Sequence, residues 1–517
     1  MNVRRYQKWA KSGLAIMLAG AMMVGTAASG GGMTAQAAET ESSDTVSTQK
    51  AVTSDAASLL FTEKHITSDL TLPTIGASGT TISWKSSNPS VLSNEGKVTR
   101  PKKGAADEEV TLKGTVKMGD YAKARKFAFV VLAESEMGPT KEFALDQVEL
   151  LDDYYLTAQN SDIEFLKKFD NDRLLSRFRE TAGLDTKKIA PYGGWEDGWL
   201  GGHSVGHYLT AIAQAVKATG NADLKEKSKQ LIKGLAECQN KLGTGFIFGA
   251  KIETEGYVEK QFDILEGKTT GKTWVPWYNM HKMLTGLVDT YKYTGNKQAL
   301  EVAKKLGDWI YNRVSKWDAG TQGRVLGTEY GGMNDCLYEL YLCTRDSKHL
   351  EAAHKFDEPN LYKTVAKGGK NCLNGKHANT TIPKFLGALK RYVVLEQTGE
   401  LTKDDEAYLT NVEKFFDIAV TRHAYITGGV SVMEHFRKDN NQDGTRTQTN
   451  CESCCAHNML KMAKELYKVT GDKKYADYYE TTLRNSIMGA VKSESGAAAY
   501  FIPMATGYFK TFGNEDP

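Results

Sequence analysis

The chain has 517 residues, of which 40% are hydrophobic and 25% are charged, a composition typical of folded globular proteins. A chain of this length is expected to form more than one domain. Its 66 basic and 63 acidic residues give a formal net charge of +3 without a basic stripe, which argues against a nucleic-acid partner.

Residues 1–37 have the pattern of an export signal. Basic residues near the start precede an apolar run over residues 14–28, and Ala35-Gln36-Ala37 has the small-x-small form that signal peptidases cut. We therefore predict a signal peptide over residues 1–37 and a protein secreted to the exterior of a bacterial cell. No later segment has the roughly 18 consecutive apolar residues of a membrane-spanning helix, so no membrane span is expected.

Two kinds of sequence follow the signal. Residues 38–58 are rich in Thr, Ser and Ala without hydrophobic periodicity, which predicts a flexible linker. Residues 59–134 contain short alternating segments separated by turn residues such as Asn88-Pro89, which predicts a small all-β sandwich. The stretch 70–99, which includes Ser83-Trp84-Lys85-Ser86, resembles the atrophied bacterial immunoglobulin-like domain. This resemblance implies an immunoglobulin-like spacer.

From about residue 143 the chain is strongly helical, and one phrase recurs where helices meet. Glycine closes a helix in the left-handed conformation and Asn or Asp starts the next, so each phrase predicts a boundary between paired helices. The phrases are Thr219-Gly220-Asn221, Thr294-Gly295-Asn296, Thr344-Arg345-Asp346, Thr398-Gly399-Glu400 and Thr470-Gly471-Asp472. This repetition predicts an all-α (α/α)6 barrel over residues 143–517, with an open solenoid as the alternative.

Three thiols and a carboxylate crowd into the segment Cys451-Glu452-Ser453-Cys454-Cys455. Adjacent cysteines such as Cys454 and Cys455 rarely form a disulfide with each other, whereas thiolates and carboxylates are good zinc ligands. The segment is therefore a candidate zinc site, against the alternatives of structural thiols or an intermolecular disulfide. The remaining cysteines lie singly in helical segments and are interpreted as core residues.

Aromatic and polar residues cluster in the loops of the helical region. Trp195-Glu196 precedes Gly202-His203-Ser204-Val205-Gly206-His207-Tyr208, and Trp274 precedes Pro276-Trp277-Tyr278-Asn279-Met280-His281-Lys282. Such residues suit sugars, whose C–H faces stack on rings while their hydroxyls need donors and acceptors. The spacing of His203 and His207 also permits a shared metal on one helical face, and core packing is the common role of any single one of these side chains.

Two carboxylates stand near glycine pairs, in Glu329-Tyr330-Gly331-Gly332 and in the segment from Gly428-Gly429 to Glu434. Glycine pairs suggest loops that enter a cavity, and glycoside cleavage needs a carboxyl group as proton donor. Ordinary surface acids are commoner than catalytic ones. His377-Ala378-Asn379-Thr380, just ahead of a helix, could equally serve as a cap.

Taken in order, these phrases resemble the glycoside hydrolases of families 127 and 146, which are β-L-arabinofuranosidases. The similarity spans about residues 143–517 and is carried by the phrases at 202–208, 276–282, 329–334, 377–379, 428–434 and 451–458. It implies a secreted enzyme that acts on arabinofuranose-containing oligosaccharides or polysaccharides, in plant glycans or glycoproteins.

The resemblance also implies a retaining mechanism, in which a zinc-bound cysteine thiolate attacks the anomeric carbon and a glutamic acid protonates the leaving oxygen. Glu434 matches the acid/base, and Glu452 and Cys454 match two zinc ligands. A zinc ion fits a cysteine nucleophile, because a bound metal ion lowers the pKa of the thiol and so favours the reactive thiolate. The predicted sugar-binding residues are His203, His207, Trp277, His281, Glu329 and His377.

One feature of the family is missing. In the family, a further pair of adjacent cysteines supplies the nucleophile and a zinc ligand, downstream of a segment like residues 500–510. This chain ends at Pro517 without that pair, so we expect a fragment that carries the acid/base and two zinc ligands. Cys451 and Cys455 could replace the missing ligands, although four ligands packed so tightly would strain a tetrahedral site.

Two other functions fit the sequence. One is a metal-independent glycosidase that uses the carboxylates of Glu434 and Asp335, and it predicts insensitivity to chelators and thiol reagents. The other is a catalytically silent glycan-binding protein, which predicts binding without turnover. The sequence leaves the oligomeric state open.

Overall fold

The computed structural model describes residues 43–514 except for short gaps at 62–64, 67–68, 103–104, 132, 134–139 and 251–256. The predicted signal peptide lies outside the described residues. The chain divides into two compact units, Met1–Glu134 and Ser135–Pro517.

The first unit is built on a four-stranded sheet. Its strands are β1 (His65–Ile66), β2 (Thr81–Ser86), β3 (Glu108–Met118) and β4 (Tyr121–Val131), in the order β1-β4-β3-β2. β3 is antiparallel to β2 and β4, whereas β1 is parallel to β4. Alternate residues of β3 are buried on one face, namely Val110, Leu112 and Val116, as the two-residue period of a strand requires.

A helix covers part of that buried face. α1 (Ser43–Ser58) places Val52 and Ala56, four residues apart, against Ile82 and Val116. The predicted flexible linker is therefore wrong over residues 43–58, because two apolar side chains on one helical face dock a segment that is otherwise rich in Thr and Ser. The prediction of a small β domain followed by a helical domain is confirmed, and α1 is the part that an all-β description omits.

The second unit consists mainly of α-helices. They are α2 (Asp153–Lys167), α3 (Asn171–Thr181), α4 (His203–Thr219), α5 (Ala222–Leu242), α6 (Lys260–Leu265), α7 (Pro276–Thr294), α8 (Lys297–Val314), α9 (Ala319–Leu326), α10 (Met333–Thr344), α11 (Ser347–His354), α12 (Pro359–Ala366), α13 (Ala378–Thr398), α14 (Glu406–His423), α15 (Ser453–Thr470) and α16 (Lys473–Thr482). Among the described residues, no helix is long and apolar enough to cross a membrane.

The recurring phrases end helices as predicted. Four of them place a glycine in the left-handed conformation just after the helix, with φ between 68° and 75°, at Gly220, Gly295, Gly399 and Gly471. The fifth uses Arg345, with φ of 57°. A side-chain oxygen then caps the next helix at Asn221, Asn296, Asp346 and Asp472.

Helices α4, α7, α10, α13 and α15 pack side by side in that order, and we call them the inner helices. Each also packs against a second helix, respectively α5, α8, α11, α14 and α16. The segment ahead of α2 joins the last inner helix to the first, through the ion pairs Glu142–Lys464 at 3.0 Å and Asp146–Lys217 at 2.5 Å. The array of helix pairs is therefore closed into a barrel, and the open solenoid is excluded.

Glycines allow α4 and α7 to approach closely. A Cβ atom at Gly206 would lie 2.1 Å from the Lys282 carbonyl oxygen, and one at Gly286 would lie 2.5 Å from the Gly206 carbonyl oxygen. This close crossing brings the rings of His203 and Tyr278 to a centroid distance of 6.2 Å at the start of the two helices.

We expect Gly206→Ala to lower the free energy of unfolding by about 1–3 kcal/mol, because the added methyl group forces α4 away from α7. Gly323 in α9 is the matched control, since a Cβ there would meet no atom within 4 Å. Gly323→Ala should instead raise stability by about 0.5–1 kcal/mol. Urea denaturation followed by circular dichroism measures both changes. An unchanged midpoint for Gly206→Ala would contradict the close crossing.

Candidate active site

Residues from several inner helices meet at the ends where these helices begin. His203 opens α4, Tyr278 lies in the first turn of α7, His377 immediately precedes α13, and Glu452 immediately precedes α15. The first turn of a helix carries partial positive charge and free N–H groups. This end of the barrel therefore favours anionic groups.

Glu434 reaches this region from the loop between α14 and α15. Met433 and Glu434 have φ of 46° and 65°, a left-handed conformation that residues other than glycine seldom adopt. The Ala378 N–H donates to the Glu434 carbonyl oxygen at 2.7 Å, which holds the loop against the start of α13. The strained turn presents a carboxylate whose side chain is 31% exposed.

Two partners hold the Glu434 carboxylate. The Tyr500 hydroxyl donates to Oε1 at 2.5 Å, and His377 Nε2 lies 3.1 Å from Oε2. The other ring nitrogen of His377 lies 3.5 Å from Glu329 Oε1 and 3.2 Å from Thr380 Oγ1. His377 thus connects Glu329 with Glu434, so three of the predicted site residues come together.

Glu452 is a second, fully buried carboxylate beside Glu434. Its Oε1 lies 3.4 Å from the Tyr500 hydroxyl, and its Oε2 accepts a hydrogen bond from the Cys455 thiol at 3.1 Å. Its backbone N–H donates to Ser431 Oγ at 3.1 Å. Burial raises the pKa of Glu452, and the negative charge of Glu434 adds to this effect.

Glu452 and Cys454 fit two positions of a zinc site. Their side chains are hydrogen-bonded, and burial together with the charge of Glu452 raises the pKa of the Cys454 thiol to about 12. Among the described residues, no third His, Cys, Asp or Glu forms a group with these two in which all ligand atoms lie within 4.8 Å of one another. A tetrahedral zinc ion needs two further ligands.

The other two cysteines of the cluster do not converge with Glu452 and Cys454 on one point among the described residues. Cys451 Sγ accepts a weak hydrogen bond from the Thr427 hydroxyl at 3.6 Å and packs against Ala490 and Ala499. Cys455 packs in the hydrophobic core and gives its S–H to Glu452. The alternative in which Cys451 and Cys455 complete a four-ligand site is therefore wrong.

His203 is held in place by a buried carboxylate. Its Nδ1 lies 2.9 Å from Glu196 Oε1 and 2.6 Å from the Leu200 carbonyl oxygen, so this nitrogen carries a proton. Glu196 also accepts hydrogen bonds from the N–H groups of Gly202 at 2.5 Å and Ser204 at 2.9 Å. Burial alone would raise the pKa of Glu196, but these contacts hold it below its usual value. The proton on Nδ1 leaves Nε2 as the atom available to a ligand.

His207 lies one turn beyond His203 on α4, with the ring centroids 6.1 Å apart. Its side chain is exposed, although the dense surroundings of the barrel interior and the positive charge of Lys282 lower its pKa. The imidazole is therefore neutral, and a neutral ring nitrogen can accept a hydrogen bond from a hydroxyl group. The contact of His207 with a sugar stays a prediction.

His281 lies beneath the glycine pair that follows Glu329. It is 3% exposed, and its Nδ1 accepts a hydrogen bond from the Gly332 N–H at 3.0 Å. Gly331 has φ of 61°, and a Cβ atom there would lie 2.6 Å from the same nitrogen. His281 and the glycines thus shape the loop that carries Glu329. Direct contact of His281 with a sugar stays a prediction.

Trp277 is a core residue, so its predicted sugar-binding role is wrong. The side chain is fully buried, with ring centroids 4.9 Å from Phe262, 5.1 Å from Phe356 and 5.6 Å from Trp317. Its neighbour Tyr278 occupies the pocket side of α7 instead. Successive residues of a helix point about 100° apart, so the motif identifies the turn but not which aromatic ring faces the pocket.

Two pocket residues were not predicted as site residues. Tyr278 is hydrogen-bonded to the Asn379 side chain, and burial together with the nearby Cys454 and Glu452 raises its pKa. Tyr500 contacts both Glu434 and Glu452. No spacing rule points to Tyr500, because it comes from an irregular segment 48 positions beyond Glu452.

Asp335 does not pair with Glu434. It is buried in α10, where burial raises its pKa and the charges of Lys390 and Lys461 lower it. The carboxylate next to Glu434 is Glu452, through their shared contact with Tyr500. This arrangement removes the pair on which the metal-independent alternative was based.

Fold and site together define a helical-barrel protein with a pocket lined by carboxylates, histidines and tyrosines. The family model of the β-L-arabinofuranosidase GH127 catalytic domain matches residues 147–515. The chain belongs to the GH127 family. The model of the atrophied bacterial Ig domain matches residues 43–134. Both resemblances inferred from the sequence are thereby confirmed.

Solved structures agree with the fold. A GH127 β-arabinofuranosidase is 18% identical with a TM-score of 0.54, over 74% of this chain and 60% of that one. A GH127 β-L-arabinofuranosidase from Geobacillus stearothermophilus T6 is 17% identical with a TM-score of 0.51, over 69% and 58%. These likenesses show the helical-barrel fold, and this chain spans about 60% of the length of the first of these structures. A search of curated proteins finds no significant match.

The neutral, buried His281 makes stability depend on pH. Burial lowers its pKa well below the ordinary value, whereas an unfolded histidine titrates near about 6.5. Below that pH the unfolded chain takes up a proton that the native chain does not, so stability falls as the pH decreases. We expect His281→Gln, whose amide oxygen can still accept from Gly332, to reduce this slope by about 1.4 kcal/mol per pH unit. Urea denaturation between pH 7.5 and pH 4.5 measures the slope, and an unchanged slope would contradict a neutral His281.

Proposed function

We propose that this chain is the pocket-bearing part of a secreted, retaining β-L-arabinofuranosidase that acts on arabinose-containing plant glycans. The observation that carries this proposal is the pair of carboxylates Glu434 and Glu452, joined by the Tyr500 hydroxyl at the start of the inner helices. Family membership supports the sugar, and the export-signal pattern of residues 1–37 supports secretion.

Glu434 acts as the acid/base. Its carboxyl group is partly exposed, so it can reach the glycosidic oxygen of a bound sugar, protonate it as the bond breaks, and later take a proton from water. His377 and Tyr500 each contact one of its oxygens. They fix the orientation of the carboxyl group, which is the condition for efficient proton transfer.

His203 and His377 bind the hydroxyl groups of the sugar in this proposal, together with Tyr278 and Glu329. Their rings and carboxylate come from the starts of different inner helices and from the loop before α10. A pocket with aromatic faces and several fixed donors and acceptors matches a small sugar ring.

Glu452 and Cys454 would hold zinc together with two ligands from outside the described residues. Bound zinc would supply a lowered thiol pKa, and hence a thiolate at neutral pH, to a cysteine that ligates it. The family resemblance implies a pair of adjacent cysteines downstream, of which one is the nucleophile and the other a zinc ligand. The thiolate of the nucleophilic cysteine would form a bond to the anomeric carbon as the leaving group departs, and water would later displace the sulfur, so that two inversions give net retention.

We expect Glu434→Gln to lower the rate of arabinofuranoside hydrolysis by about 10²–10⁴-fold, because an amide cannot supply the proton that the leaving oxygen needs. The loss should be smaller for p-nitrophenyl β-L-arabinofuranoside than for an alkyl glycoside, since nitrophenolate needs less protonation. Glu351→Gln, an exposed position in α11, is the control. Turnover is measured for this chain and for a product that carries the predicted cysteine pair. Equal losses for both leaving groups would contradict an acid role.

We expect Cys454→Ser to weaken zinc binding by at least about tenfold, since a hydroxyl is a much poorer zinc ligand than a thiolate. Cys372→Ser, in a loop outside the cluster, should leave the affinity unchanged. Zinc competition with a coloured chelator gives both dissociation constants. The same affinity in both variants would remove Cys454 from the metal site.

A further inference from the structure

Two tryptophans stand exposed on loops beside the candidate active site. Trp195 precedes α4 with 59% of its surface exposed, and Trp274 precedes α7 with 45% exposed. In the part of the chain that the structure describes, neither indole contacts another aromatic ring or a cation. Large apolar rings left in water at a pocket are a common sign of a binding surface.

The loop of Trp195 is fixed to the pocket. The adjacent Glu196 holds His203 at 2.9 Å, at the first residue of α4. Its sequence neighbours Gly193, Gly194 and Gly198 carry no side chain, and a Cβ atom at any of them would meet no described atom within 4 Å. The described residues around Trp195 thus leave 59% of its surface free for a partner.

The loop of Trp274 lies at the same end of the barrel. It leads directly into Pro276, the first residue of α7, and so to Tyr278 in the pocket. The Asn279 side chain donates to the Trp199 carbonyl oxygen at 2.8 Å, which ties the start of α7 to the loop that carries Trp195. The two tryptophans thus belong to loops that are joined at the mouth of one pocket.

We propose that Trp195 and Trp274 form a rim that stacks on sugar rings beyond the terminal arabinofuranose. The inference rests on the proposed function, because the terminal sugar must occupy the pocket for its neighbours to reach the rim. Indole faces bind the C–H faces of sugars through dispersion and burial of apolar surface. The rim therefore extends recognition beyond the terminal arabinofuranose to the sugar residues linked to it.

The test is titration calorimetry in the Glu434→Gln background, which prevents hydrolysis. The probes are methyl β-L-arabinofuranoside and an arabinofuranosyl trisaccharide with the same terminal linkage. We expect Trp195→Ala and Trp274→Ala each to weaken trisaccharide binding by about tenfold and to change methyl glycoside binding by less than about twofold. Phe143→Ala is the matched control. It removes an aromatic ring that is 75% exposed, next to Glu142, which pairs with the second half of α15.

Three outcomes contradict the proposal that the rim stacks on sugar rings. They are equal losses for both probes, no loss for the trisaccharide, and a loss for Phe143→Ala as large as that for the tryptophan variants. The proposed function fails separately, if the parent protein binds neither arabinofuranosyl probe. In that case a panel of xylose, glucose and mannose trisaccharides decides about the rim. A tenfold loss on any of these in the tryptophan variants supports sugar stacking, and binding of none of them overturns it.

Discussion

The Tyr500 hydroxyl lies between the carboxylates of Glu434 and Glu452. The rest of the site depends on how the negative charge of these two groups is compensated. The hydroxyl has one proton, so it donates fully to Glu434 at 2.5 Å and is left 3.4 Å from Glu452. Glu452 is buried, and an anion without a strong partner is costly there. The Cys455 thiol is a weak donor. The site therefore needs a proton or a cation at Glu452, which is the physical reason why a metal fits this position.

Helix direction supplies part of the missing positive charge. α4, α7, α13 and α15 all begin at the pocket, so the partial positive charges of their first turns lie at the same end of the barrel as Glu434 and Glu452. The barrel can present these helix starts together only because the inner helices pack closely, as at Gly206. The packing of the inner helices thus sets the positions of the charged groups of the site, and the loops set the orientation of their side chains.

Much of this fold could be predicted from the sequence, because its signals are local. The Thr-Gly phrases fix helix ends through one left-handed residue each, and Glu434, Glu452 and Cys454 lie in phrases specific to a family. The errors concern contacts that local sequence does not determine. Whether Trp277 or Tyr278 faces the pocket depends on the rotation of α7, and α1 is helical because Val52 and Ala56 meet a sheet formed by later residues. Tyr500 joins the site only through the closed barrel.

Lys282 shows how the barrel interior completes the charge balance. Its Nζ lies 4.7 Å from the centre of the Tyr278 ring. Burial and the charge of Lys461 lower the pKa of Lys282 to about 8, while Cys454 and Glu452 raise it. The effect is mutual, since Lys282 also lowers the pKa of Cys454. Loss of the proton from the Cys454 thiol therefore stabilises the protonated form of Lys282, and protonated Lys282 in turn stabilises the Cys454 thiolate. The protonation states of Lys282, Cys454 and Glu452 are therefore coupled, and a cation at Glu452 would change the pKa values of all three.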